Sequence, residues 1–240
     1  SKDYKSFGFS SLLSGLSPFF KNIERFNQKT ILNWIPGKEP LRTCYWPEIK
    51  NEDYTTTSMP FESDYEKAIS IFENAVSRRL ISDRPIGCLL SGGLDSSVVC
   101  AVAASIMAKE YPGKKLKSFS IGMKEGTDIA YAKSVAEHLN KLYGNIEHEV
   151  IYFTPQEGLD VIDEVLKNTE TFDITTIRAS VGQYLLGKFI STKTDIKVIL
   201  NGDGADECQM GYLYFYNHPD LKSAQEDHYR LLDEIHLFDG

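Results

Sequence analysis

The residues from Ser91 to Ser97, with the sequence SGGLDSS, combine two glycines, one carboxylate and three hydroxyls in one short stretch. Glycines let a backbone come close to a ligand, so that successive amide N–H groups face an anion. A predicted helix follows, and the positive end of its dipole adds to the same spot. The stretch has no lysine and is therefore not a Walker A loop. Asp95 would repel a phosphate unless a cation lay between them, which predicts bound Mg²⁺. An ordinary glycine-rich turn is the alternative, and the complete motif directly after an apolar run argues against it.

A second acidic stretch, residues 201–207 with the sequence NGDGADE, also follows an apolar run. Asp203, Asp206 and Glu207 crowd three carboxylates into five positions. Like charges this close are costly unless a cation or a positively charged substrate lies among them. A solvated acidic turn is the alternative. Its place after an apolar run, in a chain that already holds a phosphate-binding loop, favours the functional interpretation.

The elements that position these loops follow from the spacing of apolar residues. Apolar runs predict strands at 86–90, 116–121, 146–153 and 196–200, and helical spacing predicts helices at 63–80, 98–109, 127–139, 154–165 and 177–189. Ser63 with Glu66, and Thr154 with Glu157, predict capping boxes. Strands that alternate with helices indicate an α/β fold with a doubly wound parallel sheet. Ligands bind beyond the carboxyl ends of the strands in such sheets, so both loops are expected at one edge.

The composition narrows the function classes. A net charge of -8 leaves no basic face for a nucleic acid, and no apolar run approaches the ~20 residues that a membrane span needs. The four cysteines form no C-x-x-C pair and have no histidine at ligand spacing, which argues against zinc. Cys88 and Cys100 are expected to be reduced and buried, which fits a cytoplasmic protein. The five histidines share no spacing and are expected at surface or helix positions.

The Ser91–Ser97 loop resembles the pyrophosphate loop of the N-type ATP pyrophosphatases, which cleave ATP between its α and β phosphates. Three further stretches resemble the glutamine-hydrolysing asparagine synthetases in order and spacing: residues 119–122, 171–180 and 199–215. The likeness extends over roughly residues 60–240. Two positions depart from that family, because Asn201 and Asp203 stand where it usually has Ser and Glu.

The resemblance implies a site for ATP and Mg²⁺ that adenylates the side-chain carboxylate of aspartate and then amidates it with ammonia. It implies that Asp203 is catalytic, that Asp95 and Asp206 share the metal, and that Thr175, Thr176 and Arg178 line the path of aspartate or ammonia. An Arg there could equally form a structural ion pair. The residues implied to bind ATP are Leu89, Ser91, Gly92, Gly93, Asp95, Ser96, Ser97, Ile121, Asn201 and Gly202.

The resemblance also implies a domain organisation. Residues 1–50, rich in aromatic residues and turn formers, correspond to the last strands of a glutaminase domain, and residues 51–240 to a synthetase domain that lacks its final helices. The chain is thus expected to be part of a longer parent protein whose glutaminase domain supplies ammonia. A homodimer is a possible assembly of that parent. Two alternatives stay open: a related adenylating enzyme such as a β-lactam synthetase-like cyclase, and a catalytically silent fragment that acts as an interaction module.

Overall fold

The computed structural model describes residues 6–45 and 62–235. Its first part contains a 3-10 helix, Leu13–Gly15, and an antiparallel hairpin of β1, Thr30–Asn33, and β2, Leu41–Cys44. The assignment of residues 1–50 to a glutaminase domain stays a prediction.

The main sheet has four strands, all parallel. They are β3, Ile86–Leu89; β4, Leu116–Gly122; β5, Ile146–Tyr152; and β6, Val198–Leu200. Their order across the sheet is β5-β4-β3-β6. The chain therefore runs outward from β3 to β5 and then returns to the other side of β3. This reversal creates a crevice between the carboxyl ends of β3 and β6, where α/β sheets bind their ligands.

Helices cover both faces of the sheet, which confirms the predicted doubly wound α/β fold. The helices are α1, Glu62–Arg79; α2, Leu94–Glu110; α3, Asp128–Tyr143; α4, Pro155–Asp160; α5, Ile162–Thr169; α6, Ile174–Lys193; α7, Ala205–Gln209; and α8, Leu221–Glu234. A second 3-10 helix, Leu213–Asn217, precedes α8. Residues of α1, α2 and α3 form one core cluster with the sheet, and residues of α6 form the other.

The central strands supply both clusters because successive side chains of a strand point to opposite faces. In β3 and just after it, Cys88 and Leu90 are fully buried on the α2 side, and Leu89 packs on the α6 side. The buried state predicted for Cys88 and Cys100 is confirmed.

Local details differ from the predictions at several helix boundaries. Ser63 lies within the helix α1, so the predicted cap there is wrong. The capping box at Thr154 is confirmed, with the Thr154 hydroxyl oxygen accepting from the Glu157 amide at 3.2 Å. The helix predicted from there to Val165 is interrupted at Val161, which separates α4 from α5.

The amino-terminal segment contacts the sheet domain at Glu170 and at α8. Both carboxylate oxygens of Glu170 accept backbone N–H groups of the first 3-10 helix, from Leu13 at 2.5 Å and Ser14 at 2.8 Å. Lys29 pairs with Asp233 of α8 at 4.0 Å. Separately, no helix within residues 6–45 and 62–235 is long and apolar enough to span a membrane.

Candidate active site

The loop from Ser91 to Ser97 joins β3 to α2, and its serines hold its shape. The Ser97 hydroxyl donates to the Gly93 carbonyl at 2.6 Å, and the hydroxyls of Ser91 and Ser96 lie 2.9 Å apart. Gly92 has a φ of +88°, and a Cβ there would lie 2.5 Å from the backbone nitrogen of Ala132 in α3. The loop is thus packed against α3 so tightly that only glycine fits at position 92.

The second loop lies directly against the first. A Cβ at Gly202 would lie 2.6 Å from the backbone nitrogen of Ser96 and 2.7 Å from the carbonyl carbon of Asp95. The backbone after β6 therefore touches the peptide that joins Asp95 to Ser96. In the same loop, the Asn201 amide donates to the Asp203 carboxylate at 2.7 Å and orients it. The expectation that both loops meet at one edge of the sheet is confirmed.

A cavity of about 760 Å³ opens between the two loops and the start of α6. Twelve of the residues predicted from the sequence line it: Leu89, Ser91, Gly93, Asp95, Ser96, Ile121, Thr175, Thr176, Asn201, Gly202, Asp203 and Asp206. Gly92, Ser97 and Arg178 do not line it. Gly92 packs against α3 and the Ser97 hydroxyl donates to the Gly93 carbonyl, so both residues shape the loop without facing the cavity. Arg178 lies exposed on α6, so a substrate role for it would need a ligand that extends beyond the cavity.

The charge of the cavity is entirely negative. Its described lining contains no Lys, Arg or His, and its carboxylates are Asp95, Asp128, Asp203, Asp206 and Glu207. Carboxylates gathered around an anionic ligand repel it unless a cation intervenes. No group of three or more His, Cys, Asp or Glu side chains among the described residues is arranged to hold a metal by itself. Mg²⁺ is typically held by one or two carboxylates together with substrate phosphates and water, and this donor set fits that pattern.

The wall opposite the loops is the amino-terminal part of α6. Asp173 caps this helix, accepting from the backbone N–H of Thr176 at 2.7 Å and from its hydroxyl at 2.9 Å. The same N–H bond is the main reason that the pKa of Asp173 lies below its ordinary value. The cap holds Thr175 and Thr176 at the cavity, with Ser180 and Gln183 one and two turns further along the same wall.

Glu207 and Tyr212 also line the cavity. The sequence predicted Glu207 only as part of the acidic stretch and assigned no individual role to Tyr212. The Tyr212 hydroxyl donates to a Glu207 carboxylate oxygen at 2.5 Å, and this bond raises the pKa of Tyr212 well above its ordinary value. A Cβ at Gly211 would lie 2.0 Å from an Asp206 carboxylate oxygen, so a larger residue there would displace the Asp206 side chain. The sequence features that could have indicated these residues are the adjacent acidic pair Asp206–Glu207 and the Gly211–Tyr212 pair that follows it.

A second group for which the sequence predicted no role consists of His148, Ser118 and Ser120. His148 of β5 is partly buried between strands, with Nδ1 2.9 Å from the Ser118 hydroxyl and Nε2 3.2 Å from the Ser120 hydroxyl. The expectation that all the histidines occupy surface or helix positions is therefore wrong for His148. The alternation of the predicted strand, which puts His148 on the same face as Ile146, could have indicated burial.

The family model for asparagine synthase matches residues 67–237 of this chain. The chain belongs to the asparagine synthase family. Among the relatives of this family, a glutamine-hydrolyzing asparagine synthetase of Pongo abelii is 46% identical over 201 residues, which are 84% of this chain and 34% of that protein. The corresponding proteins of Gallus gallus and Homo sapiens are each 46% identical, over 77% and 70% of this chain and 33% and 29% of their own lengths. The chain thus spans about a third of the length of these asparagine synthetases.

Among solved structures, the U34-tRNA thiolase NcsA from Methanococcus maripaludis matches 66% of this chain and 53% of its own, with a TM-score of 0.43 and 22% sequence identity.

Proposed function

We propose that the cavity binds ATP and adenylates the side-chain carboxylate of aspartate, and that ammonia then displaces AMP to give asparagine. The observation that carries this proposal is the contact of Gly202 with the Asp95–Ser96 peptide, since it joins a phosphate-binding loop and an acidic loop in one cavity. Membership of the asparagine synthase family supports the choice of reaction. The names of the relatives, glutamine-hydrolyzing asparagine synthetases, support the choice of aspartate and of glutamine-derived ammonia.

ATP would lie across the ends of β3, β4 and β6. Leu89, Ile121, Asn201 and Gly202 would hold the nucleoside, because they line the cavity at the ends of these strands. Ser91, Gly92, Gly93, Ser96 and Ser97 would hold the β and γ phosphates, through loop amides and the positive end of α2. Thr175 and Thr176 would face the acceptor, and Asp203 would support formation of the adenylate as the catalytic residue.

Asp95 and Asp206 would hold Mg²⁺, since both line the cavity and both offer the oxygen ligands that this ion prefers. The ion would neutralise charge on the phosphates and on the leaving pyrophosphate.

The chemistry proceeds in two displacements. An aspartate side-chain oxygen attacks the α phosphorus, and the bond from that phosphorus to the bridging oxygen breaks, which releases pyrophosphate. The amides of the first loop stabilise the charge that develops on the leaving group. Ammonia then attacks the carbonyl carbon of β-aspartyl-AMP, the carbon–oxygen bond to AMP breaks, and the nitrogen loses a proton to water.

We further propose a setting for this reaction. Residues 1–50 would be the end of a glutaminase domain and residues 51–240 the synthetase domain of a cytoplasmic parent, which would act as a homodimer and draw its ammonia from glutamine. The relative matched over 84% of this chain supports the first point, because a match of that length extends into the first 50 residues.

The test is an aspartate-dependent exchange of labelled pyrophosphate into ATP, measured on this chain and on its full-length parent. We expect exchange that requires ATP, magnesium and aspartate together. Exchange driven by another carboxylate and not by aspartate would indicate a different acceptor, as in a cyclase. A parent that binds magnesium–ATP but gives no exchange with any carboxylate would contradict the proposal.

A further inference from the structure

A continuous chain of hydrogen bonds runs from His148 into the first loop. The Ser120 hydroxyl donates to the Leu90 carbonyl and lies 3.2 Å from His148 Nε2. Leu90 precedes Ser91, so its carbonyl belongs to the same planar peptide group as the Ser91 amide. That amide donates to the Ser96 hydroxyl oxygen at 3.2 Å. The Leu90–Ser91 peptide is therefore held at its oxygen from behind and at its nitrogen from within the loop.

The donors and acceptors in this series of hydrogen bonds determine which ring nitrogen of His148 carries a proton. A hydroxyl has one proton, and that of Ser120 goes to the Leu90 carbonyl. His148 must therefore donate from Nε2 to Ser120, and in an uncharged ring Nδ1 then accepts from the Ser118 hydroxyl at 2.9 Å. This is the neutral ring with its proton on Nε2.

The surroundings favour that neutral ring. Burial lowers the pKa of His148, and the positive charge of Lys133 on α3 lowers it further. The neighbouring carboxylates on β5, Glu147 and Glu149, point to the opposite face of the strand because side chains alternate. Ser118 is fully buried, and Ser120 is buried at the wall of the cavity.

We propose that His148 is a positioning residue for the first loop: through Ser120 it fixes the orientation of the Leu90–Ser91 peptide, and hence the Ser91 amide that holds the Ser96 hydroxyl within the loop. The orientation of that peptide depends on the Nε2–H donor, while the Ser118 bond keeps the ring in place. This role deepens the function proposed above, since the loop is the part of the site assigned to phosphates.

Two substitutions of His148 distinguish the contact made by Nε2 from the contact made by Nδ1. In His148→Gln the side-chain amide reaches the position of Nε2 and keeps a donor for Ser120. In His148→Asn the amide reaches only the position of Nδ1, so it keeps the contact with Ser118 and loses that with Ser120. Ser120→Ala, which leaves the histidine unchanged, removes the same link from the other side.

The first measurement needs no ligand: hydrogen exchange of the Ser91 amide in the full chain, followed by NMR. We expect exchange at least tenfold faster in His148→Asn and Ser120→Ala than in the wild type, and within threefold of the wild type in His148→Gln. Equal exchange in the Asn and Gln variants would overturn the proposal. So would acceleration of the β4 and β5 amides by the same factor as Ser91, because that result would mean a general loss of packing.

The second measurement is calorimetric titration of the same variants with magnesium pyrophosphate and with adenosine. We expect His148→Asn to weaken pyrophosphate binding about tenfold and to leave adenosine binding unchanged, with His148→Gln close to the wild type. If the wild type binds no magnesium pyrophosphate, the proposed function fails, and the exchange of the Ser91 amide still decides whether His148 positions the loop.

Discussion

At the scale of single residues, Asp95 is the carboxylate closest in sequence to the predicted phosphate contacts, and it lines the cavity. Asp95→Asn keeps the shape of the side chain and removes its charge. We expect pyrophosphate exchange to fall by two or more orders of magnitude in the full-length parent, because metal stabilisation of a leaving group is worth several kcal/mol. Asp163→Asn, an exposed carboxylate on α5, is the matched control. Exchange that survives in Asp95→Asn would remove this residue from the metal site.

Asp203 presents a different question, because its carboxylate is shorter by one methylene than the Glu that the resembled family usually has there. The Asn201 amide already holds it at 2.7 Å. A catalytic group displaced by ~1 Å can lose about a hundredfold in rate, so Asp203→Ala should nearly abolish adenylation. Asp203→Glu should change the rate as well, upward if the shorter side chain falls short and downward if the loop has adapted to it. If neither substitution changes the adenylation rate, Asp203 is part of a solvated acidic turn and has no catalytic role.

At the scale of elements, the contact between the two loops depends on the absence of a side chain at Gly202. We expect Gly202→Ala to push the second loop away from the Asp95–Ser96 peptide and to weaken magnesium–ATP binding at least tenfold, since the added carbon would meet backbone and not a flexible side chain. Gly187→Ala is the control, because a Cβ at Gly187 of α6 meets nothing within 4 Å. That change should raise stability by about 0.5–1 kcal/mol, as alanine is favoured over glycine inside a helix. Calorimetric titration with magnesium–ATP and thermal unfolding measure the two effects.

The elements themselves were largely predictable, and the reason is their burial. Parallel strands covered on both faces are near-continuous apolar runs, so their positions can be read from the sequence. Periodicity does not say what a helix packs against: Val76 in α1 and Leu80 just after it are buried, while Tyr65 and Ile69, which share the same helical spacing, remain exposed.

The parts of the site that directly follow the ends of strands were predictable from the sequence. The rule that ligands bind at strand ends brought both acidic loops together. The contact of His148 with Ser118 and Ser120 depends on the register of β5 against β4, in which Ser118 pairs with His148, and no local pattern fixes that register. Arg178 was predicted near the substrate because it lies in a stretch that resembles the family. In the structure, its position around the α6 axis leaves it outside the cavity lining.

At the scale of the whole molecule, Glu170 joins the amino-terminal segment to the sheet domain. The hydroxyl and backbone N–H of Ser14, with the N–H of Leu13, lower the pKa of Glu170. A lowered carboxyl pKa means that the contact contributes fully above about pH 4.3 and is lost as the pH falls through the lowered value. We expect Glu170→Gln to speed proteolysis of residues 6–45 at pH 7, where the wild-type contact is ionised.

The control for this change is Glu137→Gln, which removes an exposed carboxylate from α3. Limited proteolysis followed by mass spectrometry measures the cleavage rate of the segment. Below the pKa of Glu170 the wild type and Glu170→Gln should converge. A constant difference between them across the acid range would mean that the charge of Glu170 does not hold the segment.

The return of β6 to the side of β3 also sets an order of events on the ribosome. Cys88 and Leu200 are neighbours across the ladder, yet more than a hundred residues of chain separate them. At about 5–20 residues per second, the nascent chain carries a finished first loop for on the order of ten seconds before its partner emerges. During that interval the N–H and C=O groups along one edge of β3 have no strand to pair with and are open to another chain. The nucleotide pocket is therefore completed late in synthesis, and translation that stalls within α6 leaves a half-built pocket beside a strand edge prone to aggregation.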